Sequence, residues 1–235
     1  MEQVTLYGIY EKEFTYDAQT AVLPGCCSVT GSSGMADTVY TISAFRKGEG
    51  LYAVRIMPEQ QGVYRYRILL AGNGETEEWK LEGEFVCVEP QAGCHGKVQT
   101  MEDGFVYADR TRFLPFGTTC YAWIHQPVQL QEQTVKTLGD SCFNKLRMLL
   151  FPKYMPYNEE DPAVYPFEQG EDGSWDENRI VPAYWDNLDL RLCQLSELGI
   201  EADLILFHPY DKWGFAEMTQ EASLRYVSYC IARLA

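Results

Sequence analysis

The hydrophobic pattern of this chain changes period once, near residue 90, and that change constrains the fold more than any other feature. Residues 1–90 carry short alternating runs rich in β-branched and aromatic residues: VTLYGIYEKEFTY (4–16), TVYTISAF (38–45), GLYAVRIM (50–57), GVYRYRILLA (62–71) and EGEFVCVE (82–89). Glycine-containing breaks at 31–34, 47–50 and 72–74 separate them. Strands of this length and spacing predict an antiparallel, immunoglobulin-like β-sandwich. Within VYRYR, Tyr64 and Tyr66 fall on one face and Arg65 and Arg67 on the other, as a sheet with one wet face requires.

PQAGCHGKV (90–98) breaks both periodicities, so residues 91–99 read as a linker to a second domain at 100–235. GFVYADRTRFLPF (104–116) predicts a small hairpin turning at Asp109 and Arg110, leading into a strand at 114–124. A helix at 129–141, with Val135 and Leu138 inward, precedes a strand at 143–151. The stripe Trp185, Leu188, Leu192, Leu195 predicts a helix over 184–199 that stops at Gly199. A strand at 202–208 follows, then a helix at 219–235 with Leu224, Val227, Ile231 and Leu234 as its apolar stripe. Such alternation means a parallel sheet with right-handed helical crossovers. The expectation is three consecutive βα units.

Charge and motifs narrow the function classes. The formal charge is −15 without a Lys/Arg cluster, so nucleic acid and anionic membrane are excluded as expected partners. No apolar run approaches the length of a membrane span, and the N-terminal MEQVTLYGIYEKEF has no secretory core. The eight cysteines form no C-x-x-C pair, which argues for reduced thiols, a cytoplasmic location and no metal site. Cys120, Cys142, Cys193 and Cys230 are expected as small buried hydrophobes. The glycine fingerprints of dinucleotide sites and P-loops are absent after the strands, so no cofactor is expected.

On a parallel β/α scaffold, ligands bind at the C-terminal ends of the strands. Trp123, His125 and Gln126 follow the first strand, Lys153, Tyr154 and Tyr157 the second, and His208, Tyr210, Asp211 and Trp213 the third. Arg147 is a charge inside the second strand, either pairing with a carboxylate in a barrel lumen or lying at the rim; Lys145 faces the same way. The long loop at 152–182 adds Tyr165, Phe167 and Trp175. Aromatic rings beside many hydrogen-bonding groups suit a sugar, whose C–H faces stack and whose hydroxyls need polar partners. The candidate substrate-binding set is therefore Trp123, His125, Arg147, His208, Asp211 and Trp213. Against it stand core packing for the tryptophans and a turn role for Asp211.

Three segments, FLPFGTTCYAWIHQ, FNKLRMLLFPK and LILFHPYDKWGF, resemble the opening of the apiosidase-like (β/α)8 barrel family of glycoside hydrolases. LYGIYEKEF, LYAVRIMPEQQGVYRYRI and GEFVCVEPQAGCHGKV resemble the β-sandwich domain of unknown function that commonly precedes that barrel. The resemblance implies a retaining glycoside hydrolase of the large barrel clan, acting on a plant-type or other complex carbohydrate. In that clan an arginine on strand two and a histidine after strand three shape the subsite, and Arg147 and His208 match those positions. The clan's acid/base glutamate follows strand four and its nucleophile strand seven. Three βα units do not reach either, and a closed barrel needs about 250 residues by itself. Asn158-Glu159 lies in the long loop, away from any fourth strand. The expectation is thus a fragment of a longer enzyme: a β-sandwich plus the first three units of a TIM barrel, with no catalytic residue in this chain. A non-catalytic carbohydrate-binding module, a structural module, and a complete small α/β domain are the alternatives; oligomerisation is left open.

Overall fold

The computed structural model describes residues 1–16, 25–32, 37–70 and 79–234. The turn expected at 72–74, part of that at 31–34, and residue 235 lie outside the described residues. Two compact units emerge, Met1–Phe113 with Ser228–Ala235, and Leu114–Val227.

The first unit holds β1 (Glu2–Thr5), β2 (Tyr10–Thr15), β3 (Gly25–Ser32), β4 (Asp37–Ser43), β5 (Phe45–Gly48), β6 (Leu51–Ile56), β7 (Gly62–Leu70), β8 (Trp79–Val88), β9 (Val98–Met101), β10 (Gly104–Tyr107) and β11 (Arg112–Phe113). A five-stranded sheet runs β1-β8-β7-β3-β4 and a three-stranded sheet β2-β6-β5. Pairing is antiparallel except for β1 beside β8, which is parallel and departs from the all-antiparallel expectation. The single alternating run at 4–16 becomes two strands in different sheets. It breaks where Tyr7 takes φ 63° and the Gly8 N–H bonds back to the Thr5 carbonyl.

The two sheets share one aromatic core. Tyr10 and Phe14 from β2 and Tyr52, Val54 and Ile56 from β6 join Val29, Tyr64, Tyr66, Ile68 and Phe85 from the larger sheet. Phe85 stacks on Tyr10 at 4.0 Å and on Tyr64 at 5.1 Å. Arg65 and Arg67 point outward to Glu84 and Glu82, as the alternation requires. The hairpin turning at Asp109 and Arg110 forms, with Arg110 at φ 72°, and β9 completes its small sheet.

The second unit runs β12 (Gly117–Thr119), α1 (Val128–Gly139), β13 (Lys145–Leu149), β14 (Phe167–Gln169), β15 (Trp175–Ile180), α2 (Pro182–Glu197) and β16 (Glu201–Ile205), followed by α3 (Gln220–Leu234), whose last turns group with the first unit. The sheet order is β12-β13-β16, all parallel, with a helix after each strand. Among the described residues this sheet does not close into a barrel.

Three sequence expectations need correction. The first strand is three residues long instead of spanning 114–124. After Cys120 the chain enters a 3-10 turn at Trp123–His125, where the buried Trp123 indole N–H donates to the Gln131 carbonyl at 3.1 Å. Burying the indole beside α1 takes the place of extending the strand. The loop at 152–182 contains the β14–β15 hairpin, closed where the Asp172 carboxylate accepts from both the backbone N–H and hydroxyl of Ser174 and Gly173 takes φ 80°. The buried stripe of α3 is Ala222, Tyr226, Tyr229, Cys230 and Arg233, while Leu224 and Ile231 are about 60% exposed. Both faces of α3 carry apolar residues, and the aromatic one wins because Tyr226 stacks on Phe151 at 4.4 Å.

All eight cysteines are free, but Cys142 and Cys193 are exposed instead of buried. The first lies in the α1–β13 turn and the second on the outer face of α2. Among the described residues no helix is long and apolar enough to cross a membrane, and no group of His, Cys, Asp and Glu could hold a metal.

Candidate functional site

The alternation of β13 decides which side chains reach which face. Leu146 and Met148 are fully buried on one face. Lys145 and Arg147 share the other, in register with Glu201 and Asp203 on β16. Arg147 donates from Nε to Asp203 at 2.9 Å, and Lys145 reaches the same oxygen at 3.0 Å. Burial works to raise the Asp203 carboxyl, but the bonds from Lys145 and Arg147 outweigh it and hold the group below the usual carboxylate range. Of the two placements open to Arg147, the structure has the one in which it pairs with a carboxylate on the sheet face. That carboxylate, Asp203, was not among the sequence candidates; its signal was the second charge in an otherwise apolar strand.

The strand exits converge around the carbonyls of Leu150 and Phe151. His125, arriving after β12, donates Nε2–H to the Leu150 carbonyl at 2.9 Å. The Tyr184 hydroxyl donates to the same carbonyl. His208, arriving after β16, donates Nε2–H to the Phe151 carbonyl at 3.0 Å, and its Nδ1 accepts the Tyr210 backbone N–H at 3.2 Å. A carbonyl only accepts, so in both rings the proton sits on Nε2. Burial, followed by the nearby His208, pushes His125 down to about 4, against the bond to Leu150. Its Nδ1 is buried with no partner among the described residues.

Gln131 organises the stretch after β12, and sequence reasoning missed it. It is 3% exposed and donates to the carbonyls of Ile124 and Gln126, at 3.1 and 2.7 Å, while its Oε1 accepts from the buried Arg191 at 2.8 Å. A polar residue on a helix face that should be apolar was the available signal. Trp123 is buried against this arrangement and presents no free ring face. Asp211 caps the loop after β16, accepting the backbone N–H groups of Trp213 and Ala216, both at 2.7 Å. Trp213 is half-buried, and its indole N–H donates to Asp161 at 2.9 Å. Trp175 stacks on Phe215 at 4.7 Å and donates to the Trp213 carbonyl, so the hairpin braces the same loop.

Lys153 is a buried cation at the rim. It is 5% exposed, with its ammonium over the rings of Tyr121, Tyr157 and Tyr210 at 4.6, 5.1 and 4.9 Å. Tyr157, Tyr210 and Tyr154 remain 71%, 49% and 38% exposed, offering ring surface at the same rim. The structure thus brings His125, His208, Lys153 and the tyrosines together at the strand exits. Asp211 and Trp213 stand in the adjoining loop, Arg147 lies on the sheet face, and Trp123 is packed behind.

No family model matches the chain, and no curated protein matches it. A solved structure, that of a "putative glycoside hydrolase" from Bacteroides vulgatus ATCC 8482, is similar over 100% of this chain at 37% identity and a TM-score of 0.88. The chain spans 47% of the length of that structure. A family 123 glycoside hydrolase from Clostridium perfringens aligns over 83% of this chain and 40% of its own, at 8% identity and a TM-score of 0.25, too slight a likeness to bear on the fold. The chain has a glycoside hydrolase-like fold.

Proposed function

We propose that residues 1–235 form the N-terminal part of a glycoside hydrolase: an immunoglobulin-like β-sandwich followed by the first three units of a (β/α)8 barrel of the apiosidase-like kind. The observation that carries this reading is the whole-chain likeness, at 37% identity, to a structure about twice as long. The consecutive parallel order β12-β13-β16, with a helix after each strand, is the order in which such a barrel begins. In this reading the Lys145–Arg147–Asp203 face lines the barrel lumen, and the exposed Leu224 and Ile231 of α3 are where a neighbouring helix packs. The substrate is a plant-type or other complex carbohydrate, and the location is the cytoplasm.

Retaining hydrolysis needs two carboxylates about 5 Å apart, one to protonate the leaving oxygen and one to attack. In this reading both lie outside residues 1–235. His208 is a positioning residue here, because both ring nitrogens are already engaged. It fixes the loop carrying Tyr210 and Trp213, and Arg147 orients polar groups from below.

The test compares two proteins on aryl glycosides. Residues 1–235 alone should give no turnover. In a protein carrying the remaining strands, His208→Ala should lower kcat/KM by about 10²-fold through misplacement of the reacting groups. Turnover by residues 1–235 that a point change in this chain abolishes would refute the assignment of the carboxylates. Unchanged kinetics for the longer His208→Ala protein would remove the positioning role.

A further inference from the structure

Two buried cations of the second unit, Arg191 and Lys153, and the exposed Lys212 are treated differently by their surroundings. Arg191 pairs with Glu132 at 2.6 Å. Lys212, more exposed than Lys153, pairs with Asp161 at 3.0 Å and donates to the Glu159 carbonyl at 2.9 Å. Lys153, at 5% exposure, has no carboxylate within ion-pair distance among the described residues. Among the described residues its ammonium donates only to the Tyr157 hydroxyl and otherwise faces three tyrosine rings.

Taking an ammonium out of water is costly unless a counter-charge or hydrogen bonds replace the lost hydration. Ring faces offset part of that cost, and one phenol accepts one of three N–H donors. What remains is a net positive charge at the junction of all three strand exits. Tyr121 follows β12, Lys153 and Tyr157 follow β13, and Tyr210 follows β16. The partner on Nζ, Tyr157, is the most exposed of the rings, on the outer side of the cage. A lysine kept only to pin loops would be served by a carboxylate, as Lys212 is. A lysine kept uncompensated beneath exposed rings is arranged to receive an anion carried by a ligand that stacks on those rings.

We propose that Lys153 is a specificity residue that receives the anionic substituent, carboxylate or sulfate, of an acidic sugar, which takes the place of the Tyr157 hydroxyl on Nζ. This rests on the carbohydrate reading of the site and names the sugar class within it. Charge-assisted bonds from an ammonium to such a group are about twice as strong as neutral ones, so an acidic sugar gains over its neutral counterpart. The −15 charge of the chain opposes an anion at long range, but screening at physiological salt confines that to about 8 Å.

The test is a ligand-observed NMR titration of the full chain with D-galacturonate, D-galactose 6-sulfate and D-galactose. At least one acidic sugar should bind about 10-fold more tightly than galactose, and the tighter of the two identifies the anionic group. Lys153→Met should remove the preference, bringing acidic-sugar affinity to the level of galactose measured on the same variant. Tyr157→Phe, which keeps the ring and frees Nζ, should tighten acidic-sugar binding several-fold, and its exposed position keeps this arm decisive if Lys153→Met fails to fold. Equal binding of all three sugars, or an acidic preference that Tyr157→Phe leaves unmoved, overturns the role of Lys153 and spares the carbohydrate reading. Absence of binding by all three overturns both.

Discussion

His125 and His208 hold adjacent carbonyls, those of Leu150 and Phe151, at 2.9 and 3.0 Å. One histidine comes from each strand flanking β13, so the exit of the central strand is clamped from both sides. The two rings differ in what they leave over. His208 uses both nitrogens, whereas Nδ1 of His125 is buried without a partner among the described residues.

This difference has a pH signature. His125 is pushed down to about 4 in the folded chain, against about 6.5 when unfolded. Between those values the unfolded chain binds the extra proton, so stability falls as pH drops from about 6.5 to about 4, by roughly 3 kcal/mol in all. Above that window the ring is neutral in both states, and stability does not change with pH on its account. Denaturant midpoints measured from pH 7.5 to 4 should fall more steeply for the wild type than for His125→Gln. Parallel profiles would show that the ring does not carry the effect.

The Gln131 side chain joins three groups, so its loss should be felt beyond its size. Gln131→Leu leaves the Ile124 and Gln126 carbonyls without its amide and the Arg191 guanidinium without one acceptor. A cost of about 2–4 kcal/mol is expected by urea unfolding. Gln133→Ala, on the exposed side of the same helix, should stay within about 0.5 kcal/mol.

The inward face of α3 can be checked the same way. Tyr226→Ala should cost about 3–5 kcal/mol, because it empties the stack against Phe151. Leu224→Ser should change stability by about 0.5 kcal/mol or less. The reverse ranking would restore the stripe that helical periodicity suggested.

In the first unit, Tyr66 lies across from Gly83, where an added Cβ would meet the tyrosine hydroxyl at 2.3 Å. Tyr66 is buried and has little room to move. Gly83→Ala should therefore destabilise by about 1–3 kcal/mol, measured by thermal or urea unfolding. A neutral result would mean that the ring moves out of the core freely.

Period and punctuation determined much of this molecule. The change of period near residue 90 separates an all-strand half from a β-α half, because alternation buries one face of a sheet and a 3.6-residue stripe buries one face of a helix. Tyr64 and Tyr66 inward, with Arg65 and Arg67 outward, followed from that rule alone. So did the parallel β12-β13-β16 order and the gathering of His125, His208 and Tyr210 at the strand exits. The tertiary structure decided what local pattern leaves degenerate. Helix α3 has two apolar faces, and only the stack of Phe151, Phe215 and Tyr226 selects between them. An apolar run at 114–124 suits a strand, but the buried Trp123 bonded to Gln131 turns it after three residues. Asp211, open to a ligand or a turn from sequence, is committed to two backbone N–H groups. The sequence places Lys153 at the exit of the second strand but not in the substrate-binding set, because a cage drawn from three separate strand ends has no signature along the chain. Partners distant in sequence become neighbours only when the parallel sheet sets its exits side by side.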